Sequence, residues 1–147
     1  MKKLFMLIVT TMLLGLLLIT ASAEPVQGPC PPDQHEFIQD NANYVCIHCN
    51  TPATFVQAGT NNLVTAMNAA ASGDILLLEA GEHTITQLLP TLGDAGYGRN
   101  KLTIIGYGQT KAHTVIKAPQ GYGNNHMFNV KSDNVNAPAE LTLVNLT

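Results

Sequence analysis

The chain of 147 residues is 46% hydrophobic and 12% charged, with three cysteines, no tryptophan and a formal net charge of −3. So little positive charge excludes electrostatic binding of a polyphosphate backbone, and so many apolar residues exclude disorder by composition. The length fits one domain.

Lys2 and Lys3 precede an apolar run from Leu4 to Ile19, and Ala21-Ser22-Ala23 supplies the small residues a signal peptidase reads. This is the pattern of a secretory leader over residues 1–23, cleaved before Glu24. The run is broken by Thr10 and Thr11 and falls short of the roughly 20 residues that span a bilayer, so cleavage is expected rather than anchoring. No later segment is apolar enough to span a membrane. Without Lys2 and Lys3, five basic residues face ten acidic ones, a net charge of −5. The expected destination is secreted, periplasmic or cell-surface.

Residues 24–59 form a cysteine-containing extension. Cys30 is followed after fifteen residues by Cys46-Ile47-His48-Cys49. Export makes disulfides the first reading, and an odd count leaves one thiol free, bonded to another chain, or waiting for a cysteine outside this one. A metal reading would recruit His35 or His48 beside the three thiolates, a ligand set suited to zinc. An oxidising destination competes with thiolate ligation and the second half of a C-x2-C pair is missing. No metal is therefore assigned, and a disulfide staple drawn from Cys30, Cys46 and Cys49 is expected.

From Asn61 onward the pattern is richer. Leu63, Ala66, Met67 and Ala70 make one apolar stripe on a short helix, with Thr60 or Asn61 to cap it and Gly73 to end it. Apolar strands follow at Ile75-Leu76-Leu77-Leu78, His83-Thr84-Ile85, Leu102-Thr103-Ile104-Ile105, Thr114-Val115-Ile116, Met127-Phe128-Asn129-Val130 and Leu141-Thr142-Leu143-Val144. Short strands between Gly, Asn and Pro turns suggest a solenoid, barrel or sandwich. Leu102–Gly106 and Leu141–Asn145 are near copies 39 residues apart with two short strands between them, as one solenoid coil of three strands would give. Thirteen asparagines follow the leader, many at turns where the left-handed conformation and coil-to-coil hydrogen bonds suit them.

The stretch Leu63–Ile85, with its alanine-rich helix, Ser72-Gly73-Asp74, apolar strand and Ala80-Gly81-Glu82-His83, resembles the opening of a right-handed parallel β-helix of the pectin-lyase-like superfamily. Leu102–Gly108 and Thr114–Ile116 resemble its next strands. His83 stands where that family usually has tyrosine, and the loop Leu88–Asn100 is longer than usual. The resemblance covers residues 60–147 and implies an all-β fold with a short capping helix at the start of the solenoid. The chain stops at Thr147, one strand into a further coil, so it is expected to be the N-terminal portion of a longer protein.

Functional residues are fewer. Three Gly-Tyr-Gly triplets centre on Tyr97, Tyr107 and Tyr122, where an exposed ring could lie against a sugar, although glycine turns with tyrosine covering coil edges would look the same. Lyases of the resembled superfamily use calcium held by aspartates, with a basic residue on a strand face. Here Asp74, Glu79, Glu82, Asp94, Asp133 and Glu140 are scattered, Arg99 is the sole arginine, and no catalytic residue or cofactor is assigned; calcium rests on the resemblance alone. Asp74 is expected to form the helix-to-strand turn. Asn145-Leu146-Thr147 matches an N-glycosylation acceptor, against the plainer reading of an asparagine ending a strand. The expected function is binding of carbohydrate or surface adhesion, with a glycan partner and no nucleic acid. The alternative is a polysaccharide lyase or glycoside hydrolase whose catalytic residues lie beyond residue 147.

Overall fold

Ile75-Leu76-Leu77-Leu78 offers no polar face to solvent, the pattern of a parallel strand covered on both sides. The computed structural model, which describes residues 30–40, 43–93, 100–108, 111–118, 127–131 and 138–147, places it so. Strand β5 (Ile75–Glu79) pairs in parallel with β3 (Pro52–Val56) on one side and with β7 (Lys101–Tyr107) on the other. Strand β9 (Glu140–Val144) continues the stack, with Leu102 opposite Leu141 and Ile105 opposite Val144. The near copies 39 residues apart are therefore stacked in register.

A second parallel sheet joins β4 (Gly59–Thr60), β6 (Gly81–Thr84) and β8 (Thr114–Lys117) in that order. A third point of parallel pairing lies at Leu92 and Val130, where the Leu92 and Lys131 amides donate to the Asn129 and Leu92 carbonyls at 3.0 and 2.8 Å. Among the described residues Met127–Val130 thus shows a single bridge where a strand was expected. Among the described residues the fold is mostly β-sheet with one short α-helix.

That helix, α1 (Asn62–Ala69), buries Leu63, Val64 and Met67, close to the expected stripe. They share one core with Val56, Leu76, Leu78, Ile85, Leu102 and Ile104, so the helix lies over the interior that the parallel strands enclose. Asn61 occupies the N-cap at φ 61°, but its side chain makes no cap bond. Its amide oxygen instead accepts from the Thr86 N–H at 2.8 Å, tying the helix start to the chain beyond β6. Gly73 does not end the helix; Ala70 is the C-cap, and Gly73, at φ 95°, lies in the following turn. There the Asp74 carboxylate accepts from the Ala71 N–H at 2.7 Å, the expected turn role. Asn145, at φ 58°, donates its amide to the Gly106 and Gly108 carbonyls at 3.1 and 3.0 Å, a hydrogen bond from one stacked pass to the next.

The cysteine-containing segment is built into the same sheet. Strands β1 (Phe37–Asp40) and β2 (Asn43–Cys46) pair antiparallel, and β2 pairs antiparallel with β3, giving the order β1-β2-β3-β5-β7-β9. Parallel stacking thus starts at β3, upstream of residue 60. Residues from this segment bury a second core, Phe37 and Cys46 with Ile75, Leu77 and Ile105, on the outer face of the parallel strands. Adjacent leucines therefore serve opposite faces: Leu76 and Leu78 point into the interior, Leu77 out beneath the N-terminal segment. Burial of such a side chain contributes about 1.5–3 kcal/mol.

Candidate functional site

The outer face of the sheet carries a column of stacked residues, Phe55 beside Leu77, Leu77 beside Ile105 and Ile105 beside Val144. A cavity of about 840 Å³ opens over this column. Leu77, Ile105 and Val144 line it from the sheet, Asp33, His35, Glu36 and Phe37 from the N-terminal segment, and Tyr107 and Asn145 from the strand ends. A floor of apolar side chains edged by a few polar groups is a common form of ligand site.

Tyr107 is the one tyrosine of the three Gly-Tyr-Gly triplets within the described residues, and it is 43% exposed. Its ring meets Tyr44 edge-on at 5.6 Å and Phe55 at 6.3 Å, while Tyr44 and Phe55 stack at 4.5 Å. Its hydroxyl lies 3.5 Å from the Phe37 carbonyl oxygen, at the long limit of a hydrogen bond. Tyr107 therefore both packs at the strand edge and presents a ring surface beside the cavity. Tyr44 and Phe55, which no sequence motif marked, set its orientation. Tyr97 and Tyr122 lie outside the described residues, as do the leader, Asp94, Arg99 and Asp133.

The scattered acids that are described take separate structural parts. Glu79 accepts from the Ala58 N–H at 2.9 Å. Glu82 pairs with Lys117, whose hydrogen bond holds the carboxyl below its ordinary range, and Glu140 meets Lys101 at 3.2 Å. Asn145 is half-buried, and its amide nitrogen, the atom a glycan would take, makes the two backbone hydrogen bonds described above.

Next to the cavity the three cysteines converge. Cys46 closes β2, the chain reverses through Ile47, His48 and Cys49, and Asn50 leaves the turn at φ 56°. The turn is held by the Asn50 N–H on the Cys46 carbonyl at 2.9 Å and the Cys46 N–H on the Thr51 carbonyl at 3.0 Å. Cys30 approaches from the other side, its sulfur 3.8 Å from that of Cys46. This is well beyond the roughly 2.05 Å of a disulfide bond, and all three thiols are free. Cys49 Sγ lies 3.6 Å from His35 Nδ1 and 3.1 Å from the Thr51 hydroxyl. His35 stacks on Phe37 at 5.4 Å. The other histidine weighed as a ligand, His48, turns away to Glu36 at 3.4 Å.

Crowding separates the thiols electrostatically. Hydrogen bonding to Cys49, with burial and the nearby Cys46, pushes the Cys30 thiol up to about 12. Burial acts to raise Cys49 as well, but hydrogen bonds from Cys30 and Thr51 outweigh it and bring that thiol down to about 5. The ligand atoms of Cys30, His35, Cys46 and Cys49 all lie within 4.8 Å of one another.

No family model matches the chain, and no curated protein is significantly similar to it. Among solved structures, that of a PL6 family alginate lyase, AlyGC, is similar, with 27% sequence identity and a TM-score of 0.46 over 64% of this chain. The matched part spans 10% of that lyase's length. Among the described residues no helix is long and apolar enough to cross a membrane.

Proposed function

We propose that the protein is an exported, parallel β-helix protein that binds carbohydrate at a surface, with the cavity beside Tyr107 as its glycan seat. Support for the β-helix comes from three parallel pairing positions visited in order by successive passes of the chain: β5, β6 and Leu92, then β7, β8 and Val130. The interior lies under α1, where a solenoid needs its open end covered.

The observation that carries the binding reading is the cavity itself, with an apolar floor of Leu77, Ile105 and Val144 and a half-exposed tyrosine at its edge. Sugar rings have apolar C–H faces that lie flat on aromatic and aliphatic surfaces, while their hydroxyls need polar partners at the rim. Asp33, Glu36 and Asn145 supply acceptors there. Acidic groups on the rim and the net charge of −5 without the leader disfavour polyanions, so the glycan class is neutral.

Titration calorimetry of the full chain against neutral polysaccharides and polyuronates tests this. Tyr107→Ala is expected to weaken neutral-glycan binding about fivefold, the equivalent of ~1 kcal/mol of ring contact. Binding that is absent for neutral glycans, or indifferent to Tyr107→Ala, overturns the reading.

A further inference from the structure

We propose that Cys30, His35, Cys46 and Cys49 form a tetrahedral zinc site that locks the N-terminal segment over the outer face of β5 and β7. This does not depend on the glycan reading.

The first support is distance. Zinc bonds of about 2.3 Å to sulfur and 2.0–2.1 Å to imidazole nitrogen, at tetrahedral angles, set ligand atoms about 3.8 Å apart for two sulfurs and about 3.6 Å apart for sulfur and nitrogen. Cys30 and Cys46 sulfurs are 3.8 Å apart, and Cys49 sulfur and His35 Nδ1 are 3.6 Å apart. Two opposite edges of the tetrahedron are thus already at zinc-bound length. A disulfide accounts for less: it would join two of the sulfurs, leave the third thiol, and give no reason for His35 to be aimed at Cys49.

The second support is chemical. Three thiols and one imidazole are a complete Cys3His set, the closed coordination of structural zinc, with no position left for water or substrate. The half of a C-x2-C pair that the sequence lacks is replaced by Cys30 and His35, which the fold brings across from the segment before β1. Surrounding groups hold the ligands in place, as outer contacts of metal sites do. Phe37 stacks on the His35 ring, and the Thr51 hydroxyl lies 3.1 Å from the Cys49 sulfur, where it can donate to a thiolate. All three cysteines bind as thiolates, so any thiol still protonated gives up its proton on binding, the imidazole binds neutral, and the loaded centre carries a net charge of −1.

The third support is placement. Cys30, Cys46 and Cys49 belong to the outer core with Phe37 and Leu77, and His35 lines the cavity. One ion would fasten residues 30–35 to the turn after β2, so the wall of the cavity would depend on it.

The test uses the full chain, purified under reducing conditions without chelator and probed with zinc and with cobalt(II) as a spectroscopic substitute. The expected results are one zinc per chain and a cobalt spectrum with tetrahedral d–d bands and thiolate charge transfer. His35→Ala and Cys49→Ser are each expected to weaken zinc binding by more than the roughly 100-fold seen when only an outer contact is lost. His35→Cys should restore it, and His48→Ala should leave it unchanged, which keeps the test decisive should the cysteine variant fail to fold. An octahedral cobalt spectrum, no retained zinc, equal loss in His48→Ala and His35→Ala, or, in chain purified without reductant, a metal-free Cys30–Cys46 disulfide would each overturn the proposal.

Discussion

Two neighbouring leucines offer a test of the two-sided sheet. Leu76 and Leu77 are 1% and 0% exposed, yet Leu76 belongs to the interior core and Leu77 to the outer core with Phe37. Each leucine-to-alanine change is expected to cost ~2–5 kcal/mol from lost transfer energy and the cavity left behind. That is a large part of the ~5–15 kcal/mol by which a domain is stable. The discriminating quantity is coupling to Phe37→Ala. Residues of one cluster couple by ~0.5–3 kcal/mol, and separated ones add to within ~0.5 kcal/mol. Urea unfolding of the full chain, followed by circular dichroism, should therefore show Phe37 coupled to Leu77 and additive with Leu76. A cost below ~1 kcal/mol for Leu77→Ala, or equal coupling of Phe37 to both leucines, would refute a covered outer face.

Two further predictions concern contacts between stacked passes. A Cβ at Gly106 would fall inside van der Waals contact of the Asn145 carbonyl oxygen and 2.9 Å from Thr114 Cβ, so Gly106→Ala should cost ~1–3 kcal/mol and lower the thermal midpoint; an unchanged midpoint speaks against the close stacking. Asn145→Ala loses two amide hydrogen bonds and the tolerance for φ 58°, and should cost ~1–3 kcal/mol. Asn145→Gly keeps the backbone freedom and should cost less, and the reverse order in urea unfolding would contradict the assigned role.

Much of the parallel stack could be read from residue order. The run Ile75–Leu78, the helix stripe at Leu63, Met67 and Ala70, and the 39-residue repeat each reflect a local pattern that burial imposes directly. The outer core could not be read in this way, because a run apolar on both faces does not say what covers each side. Strands β1 and β2 are four residues each and carry no clear alternation, and they are set by pairing with β3 and by contacts with Leu77 and Ile105. Met127–Val130 has strand composition but among the described residues pairs through one bridge, at Leu92. The choice of His35 over His48 is likewise tertiary. His48 is closer in sequence to two cysteines, but it occupies the turn and pairs with Glu36, whereas His35 is brought in by its stacking on Phe37. Tyr107 was legible as a glycine-flanked ring; its partners Tyr44 and Phe55 were not, since they lie in strands far from it in the chain.

The claim that binds these features together is that four side chains from two separate segments meet on one ion and hold the N-terminal segment on the sheet. X-ray absorption at the zinc edge of the full chain addresses it directly. Zinc held by these four side chains is expected to show a first shell of three sulfurs at about 2.3 Å and one nitrogen at about 2.0–2.1 Å, with the nitrogen shell lost in His35→Cys and a fourth sulfur in its place. A shell of oxygen and nitrogen alone, or one unchanged by His35→Cys, would contradict it.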